Sequence, residues 1–166
     1  MILYPDKYFD KVTDITVDFL HENNIKGLVL DIDNTLIDFD KNMIPELENW
    51  VANMKENKIK LYILSNTNKV DKVRGVSERL NIPYFYFARK PLKSGFEKVK
   101  NELNLEYKNM AAVGDQIFTD VLGANRCKMY SILVKPISKK DIWITLLKRP
   151  LENLIINSYK RKIKEK

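Results

Sequence analysis

Leu28-Val29-Leu30-Asp31-Ile32-Asp33-Asn34-Thr35 passes from apolar residues into two aspartates one residue apart, then to a small hydroxyl side chain. A short, continuously apolar run of this kind predicts a strand covered on both faces. Strand alternation puts Asp31 and Asp33 on one side, where two carboxylates repel. Burying unpaired charge is costly. The pair therefore predicts a bound cation, a reaction that uses the carboxylates as a nucleophile, or both.

Four further apolar runs repeat the pattern. With the first, they predict strands over residues 27–31, 60–65, 84–87, 110–114 and 131–135. Helical spacing lies between them, over 45–56, 68–80, 92–103 and 118–127. Pro45 sits in the first turn of one helix, and Val70, Val73, Val76 and Leu80 line one side of another. Strands alternating with helices predict an α/β chain: a Rossmann-like, five-stranded parallel sheet with helices on both faces. Ligands of such sheets gather at the carboxyl ends of the strands. A single domain is expected over 1–166, with a helical N-terminal extension in 1–26 and amphipathic C-terminal helices in 136–166. The extension is expected as a helix over 6–23, with Val12, Ile15, Phe19 and Leu20 as its buried stripe. The C-terminal pieces are expected over 139–148 and 151–164, divided by Pro150.

Composition narrows the chemistry. One cysteine, Cys127, allows no intrachain disulfide and excludes a zinc cluster. One histidine, His21, leaves no basis for a histidine metal site or a Ser-His-Asp triad, and its place in the N-terminal helix predicts a surface residue. No apolar run reaches the roughly 18–20 residues of a membrane span, and the first residues lack the pattern of a signal peptide. A cytoplasmic location is expected. Residues 1–134 carry nineteen Lys/Arg and nineteen Asp/Glu, whereas 135–166 carry ten against three, so the whole +7 excess lies in the tail. That asymmetry predicts either an anionic partner or a solvated basic helix.

The strand ends hold the unusual residues. The first offers Asp31, Asp33 and Thr35. The second offers Ser65 and Asn66, the third Lys90, and the fourth Asp115 with Asp120 five residues on. Several carboxylates, a hydroxyl and a lysine on one rim suit phosphoryl transfer. An aspartate can attack phosphorus, and a second carboxyl group can protonate the leaving alcohol and then activate water. Hard carboxylate oxygens suit Mg²⁺, and a lysine and hydroxyl can hold phosphoryl oxygens.

In order and spacing, Asp31-Ile32-Asp33-Asn34-Thr35, Ser65, Lys90 and Gly114-Asp115 with Asp120 resemble the four motifs of haloacid dehalogenase superfamily phosphatases. The resemblance implies Asp31 as nucleophile and Asp33 as general acid/base. It implies Mg²⁺ on the Asp31 and Asp115 side chains and the Asp33 carbonyl. Ser65, Asn66 and Lys90 would bind phosphate, while Thr35 and Asp120 would support the site. Lys93 competes for the lysine role, but Lys90 stands nearer the strand end.

Related enzymes often carry a cap domain after the first motif or after the second. Here fewer than thirty residues follow Asp33 before the next strand and about 18 follow Ser65, each gap filled by one helix. A capless, open site is expected, suited to a phosphate on something large. The string Gly114-Asp115-Gln116-Ile117-Phe118-Thr119-Asp120-Val121-Leu122-Gly123-Ala124-Asn125 is similar to that of the YqeG-type phosphatidylglycerophosphatases. Leu3-Tyr4-Pro5 and a tail with Thr145, Arg149 and Glu152 extend the similarity. This implies hydrolysis of phosphatidylglycerophosphate to phosphatidylglycerol, with the phosphorylated lipid head group at the inner membrane surface as partner. Leu151, Leu154, Ile155 and Tyr159, followed by clustered Lys and Arg, fit a basic amphipathic helix lying on an anionic membrane or packing on the core. Ile142-Trp143 and Leu146-Leu147 add a second apolar patch. The alternatives are a phosphatase for nucleic acid ends or phosphoproteins and a phosphoacceptor signalling domain. Basic and aromatic residues are not interleaved outside the tail, so no nucleic acid partner is expected.

Overall fold

The computed structural model describes residues 1–138 and 143–164, with the side chains of 143–147 left aside. Six strands form one parallel sheet: β1 (Lys7–Phe9), β2 (Gly27–Leu30), β3 (Lys60–Leu64), β4 (Tyr84–Phe85), β5 (Met110–Gly114) and β6 (Tyr130–Val134). Their spatial order is β1-β6-β5-β2-β3-β4, every neighbouring pair parallel. The order reverses direction between β2 and β5, which is where open α/β sheets form their binding crevice. Asp31 and Asp115 follow those two strands directly.

The helices are α1 (Val17–Glu22), α2 (Leu47–Glu56), α3 (Val70–Leu80), α4 (Lys93–Leu103), α5 (Leu122–Arg126) and α6 (Trp143–Lys164). Alternation sorts the strand residues. Leu28, Leu30, Leu61 and Ile63 pack with Trp50, Met54, Val73 and Leu80 on one face. Val29, Tyr62 and Leu64 pack with Phe96, Val99 and Ala124 on the other. Both faces are thus covered, which explains the unbroken apolar runs of the central strands.

The sheet gains a sixth strand that was not expected. Residues 6–23 are a short edge strand, a 3-10 turn at Val12–Asp14 and the six-residue α1, in place of one helix. Val12, Ile15 and Leu20 are buried as the stripe required, but Asp6 diverts the chain. Its Oδ2 accepts from Ser131 N at 2.8 Å and Ser131 Oγ at 3.0 Å, fastening β1 beside β6. His21 is exposed on α1.

The C-terminal region also differs. From Trp143 onward it is one helix with Pro150 inside it, not two pieces; the expected start at 139–142 lies outside the described residues, as do the side chains of the 142–147 apolar patch and Thr145. Glu152, Ile155, Ile156 and Tyr159 face inward, and Ile155 and Ile156 join Leu3, Tyr8, Ile117, Val121 and Leu133. Leu151 and Leu154, grouped with Ile155 and Tyr159 in the sequence stripe, are exposed. The helix runs from the carboxyl edge of the sheet, where Arg149 meets Asp115, toward the other edge, where Tyr159 Oη donates to Asp6 O at 3.4 Å.

This packing predicts that Tyr159→Ala lowers unfolding free energy by about 2–4 kcal/mol, whereas Leu154→Ala changes it by less than about 0.5 kcal/mol. Urea denaturation of both variants checks it. Equal losses would mean that another face of α6 is buried.

Candidate active site

The rim is built from four loops. Asp31 N donates to Val113 O at 2.9 Å, prolonging the β2–β5 ladder one residue and holding the first aspartate rigidly. The chain then turns tightly, with Leu36 N and Ile37 N both donating to Ile32 O. Asn34 takes the left-handed conformation, φ 59°, which Asn tolerates better than most side chains. Its Oδ1 accepts from Ser138 N and Oγ, tying the loop after β6 to this turn. Thr35 is buried beneath, with no partner for its hydroxyl.

Asp31, Asp115 and Asp120 come together, each placing a carboxylate oxygen within 4.8 Å of the others. Asp120, expected as a support, is therefore in the cluster itself. It reaches there because the chain after β5 forms a π-turn, Ile117–Val121, that points it back at Gly114. A Cβ on residue 114 would collide with the Asp120 carboxylate, so glycine is what allows the approach.

Lys90 lies between two of these acids, its Nζ 2.7 Å from Asp31 Oδ1 and 2.6 Å from Asp120 Oδ1. Burial disfavours its ammonium form, but Asp120 and Asp31 outweigh that and raise its pKa above the ordinary lysine value. Lys93 is exposed and outside this cluster. Asn66, expected to contact phosphate, is bound to the Lys90 backbone. Its Oδ1 accepts from Lys90 N at 2.6 Å and its Nδ2 donates to Lys90 O at 3.0 Å, so both ends of the amide position the lysine. Ser65 is buried at the end of β3. Its Oγ accepts from Thr67 N at 3.2 Å, which leaves its O–H to donate.

The carboxylate of Asp33 stands apart from the cluster, half-exposed, with Oδ1 2.6 Å from Lys72 Nζ. The metal contact expected of this residue uses its carbonyl, not this side chain. Lys72, at the start of α3, was not anticipated: the pair is 39 residues apart, and only the fold brings it together.

Spacing alone does not reveal the contribution of α6, although the similarity marks Arg149 and Glu152 within it. Arg149 Nη2 donates to Asp115 Oδ2 at 2.5 Å and Nη1 to Asp115 O at 3.0 Å. Glu152 pairs with Arg149 at 3.3 Å and accepts from Ile117 N at 2.8 Å and Phe118 N at 3.3 Å, capping the turn that carries Asp120. The C-terminal helix thus braces two of the three clustered acids.

Carboxylates outnumber cations among the described residues: Asp31, Asp115, Asp120 and Glu152 meet Lys90 and Arg149. Burial pushes the Asp31 pKa up to about 7 against the pull of Lys90, with repulsion from Asp120 and Asp33 adding to the rise. Burial and Asp31 raise Asp115 well above the carboxylate range against the pull of Arg149. Asp115 Oδ1 is buried and has no hydrogen-bond partner. An orphaned carboxylate oxygen and three converging acids fit a divalent cation with oxygen ligands. Asp31, Asp115 and Asp120 are the side chains that would hold it.

Two substitutions test this bracing. Gly114→Ala displaces Asp120, and Arg149→Ala frees Asp115 to rotate. Each is expected to weaken Mg²⁺ affinity about 10–100-fold, measured by calorimetric titration of the folded variants. Affinity unchanged in both would remove Asp120 and Arg149 from the centre.

The comparisons agree with the architecture. A family model described as haloacid dehalogenase-like hydrolase matches residues 39–128, the stretch that holds Ser65, Lys90, Asp115 and Asp120. The chain is 40% identical over 159 residues to the probable phosphatase YqeG of Bacillus subtilis (strain 168), covering 95% of this chain and 92% of that protein. Among solved structures, the cobalt-bound deoxy-D-mannose-octulosonate 8-phosphate phosphatase of Haemophilus influenzae superposes with a TM-score of 0.56 at 14% identity, over 83% of this chain and 91% of its own. An uncharacterized protein of Listeria monocytogenes serotype 4b gives 0.56 at 17% identity, over 70% and 85%. At such identities the likeness concerns the fold alone. The family match and the long curated similarity go further: this chain belongs to the haloacid dehalogenase-like hydrolases.

Proposed function

We propose that the protein is a divalent-metal-dependent phosphomonoesterase working through an aspartyl-phosphate on Asp31. The observation that carries the reading is the buried trio Asp31, Asp115 and Asp120 around an orphaned Asp115 oxygen, with the Lys90 ammonium set against it.

In the first step an Asp31 oxygen attacks phosphorus, and the bond from phosphorus to the alcohol oxygen breaks. Asp33 gives its proton to the departing oxygen. In the second, Asp33 takes a proton from water, and the hydroxide attacks phosphorus. The phosphorus–Asp31 bond breaks, which returns the carboxylate and releases inorganic phosphate. Lys90 and the Ser65 hydroxyl hold phosphoryl oxygens throughout, and Asn66 keeps Lys90 in place. Mg²⁺, when bound by Asp31, Asp115 and Asp120 with the Asp33 carbonyl, would hold the acids ionised and offset their repulsion of the anionic phosphate. Lys72 puts a second cation beside Asp33, the residue that protonates the leaving group in this reading.

The substrate we propose is phosphatidylglycerophosphate, converted to phosphatidylglycerol and phosphate at the inner face of the membrane by an enzyme of the cytoplasm. Two observations support it. The similarity to YqeG spans nearly the whole chain, with the 114–125 string and the Arg149–Glu152 tail inside it. Among the described residues, one helix each fills the gaps after Asp33 and after Ser65, α2 and α3, so the centre carries no cap.

Asp31→Asn is expected to lower turnover of phosphatidylglycerophosphate vesicles and of a soluble aryl phosphate by at least about a thousandfold, read as phosphate release. Unchanged turnover would rule out the mechanism. Chelation by EDTA is expected to abolish activity, with Mg²⁺ restoring it; retention in EDTA would rule out the metal. Faster cleavage of a phosphopeptide or an end-phosphorylated oligonucleotide than of the lipid would replace the proposed substrate.

A further inference from the structure

We infer that the loop joining β4 to α4 is the surface by which this protein docks on an anionic lipid bilayer. Tyr86, Phe87 and Leu92 would enter the interface, and Arg89, Lys93 and Lys69 would meet its head groups. The inference rests on the reading of the substrate as a phospholipid, and it assigns the contact to a surface other than the basic tail.

The loop joins exposure, charge and position. Phe87 is 50% exposed and Leu92 is 49% exposed, on a chain whose other aromatic residues are mostly buried or half-buried. The Arg89 guanidinium lies 4.9 Å from the centre of the Phe87 ring. Residues 84–96 contain no acidic side chain. Phe87 N donates to Thr67 O at 2.9 Å, drawing in the loop that carries exposed Lys69. Aromatic rings that settle at head-group depth, flanked by cations, are the chemistry an anionic bilayer recognises. Lys90 lies within the same loop, so a bilayer touching Phe87 and Leu92 stands next to Asp31.

Phe87 has φ 52° and Arg89 has φ 55°, a left-handed conformation that Asn tolerates better than most side chains.

The basic tail is ill-placed for the same contact. Lys160 lies 4.6 Å from the Tyr8 ring and Lys162 lies 5.6 Å from that of Tyr4, beside the strand that opens the chain. Arg149, by contrast, meets Asp115 at the carboxyl edge. The helical rise puts Lys162 about 20 Å along α6 from Arg149, more than two Debye lengths of about 8 Å at physiological salt. A membrane held by these lysines would lie at the edge of the sheet away from Asp31.

The test uses the full chain and vesicles of phosphatidylcholine with and without phosphatidylglycerol. Asn tolerates the left-handed backbone, so the doubly substituted Phe87→Asn/Arg89→Asn protein keeps the loop while losing ring and cation. It is expected to bind anionic vesicles at least about tenfold more weakly in flotation, with soluble aryl phosphate turnover within twofold of the parent. The tail variant Lys160→Gln/Arg161→Gln/Lys162→Gln is expected to bind within twofold. The inference is overturned if the parent does not bind anionic vesicles, if the loop variant binds as the parent does, or if the tail variant is the one that loses binding. A loop variant that shifts a dimer to monomer, with vesicle binding intact, overturns it in favour of a second copy. Vesicle binding by the parent without phosphatidylglycerophosphate hydrolysis keeps the docking surface and removes the proposed substrate.

Discussion

The gathering of buried carboxylates, Asp31, Asp115, Asp120 and Glu152, around Lys90 and Arg149 beside the crevice between β2 and β5 is the constraint on which the rest of this structure depends. An arrangement that buries this many like charges together opposes folding. It persists because rigid elements hold each member. Asp31 is on the sheet ladder, and Asp115 follows the last residue of β5. Asp120 is on a turn capped by Glu152, and Lys90 is clasped by Asn66. The same rigidity that makes the cluster expensive makes it chemically ready. Groups fixed in this way cost little reorganisation for any ligand that matches them.

The C-terminal helix has a larger part in this than its sequence announces. Its basic, amphipathic character draws attention to its surface, yet its contribution to the site comes from two inward residues three positions apart. Arg149 holds one oxygen of Asp115, leaving the other directed at the cluster, and Glu152 holds Arg149 and the turn together. Pro150, between them, can neither donate a backbone hydrogen bond nor sit easily against the preceding turn. The two anchors flank it, and its own side is exposed, so the helix continues where the sequence predicts a break.

What could be read in advance follows from what local sequence encodes. The central strands were legible because both faces are buried and nearly every residue is apolar. The motif aspartates were legible because carboxylates at the end of such a strand have no structural use. The edge strand β1 was not, because three residues, Lys7-Tyr8-Phe9, leave almost no period to detect. Val12, Ile15, Phe19 and Leu20 also fall at helical spacing while lying in a turn and a short helix. The contacts Asp33–Lys72, Asn66–Lys90 and Asp115–Arg149 span 39, 24 and 34 residues, so they exist only once the sheet has set the partners side by side. Asp120 belongs with these: its motif position was visible, but its entry into the cluster depends on a π-turn and on the missing Cβ of Gly114.

An uncovered centre changes where selectivity must reside. Enzymes with a lid can read the whole substrate from above and exclude water while they do so. In the reaction proposed for this chain, water is a reactant in the second step, so openness there carries no penalty. In that reaction the floor of the site, with Ser65, Lys90 and the acids, would recognise a phosphoryl group and nothing attached to it. Discrimination between one phosphomonoester and another therefore falls to the rim. The rim has chemistry of its own: the Lys72 cation beside Asp33, and the Phe87–Arg89 pair on the loop that carries Lys90. In the proposed reaction, a cation beside Asp33 would favour a leaving group that bears negative charge of its own, and an aromatic–cationic edge would favour one that sits in an interface. The lipid head group proposed above has both properties, and a free sugar phosphate needs neither.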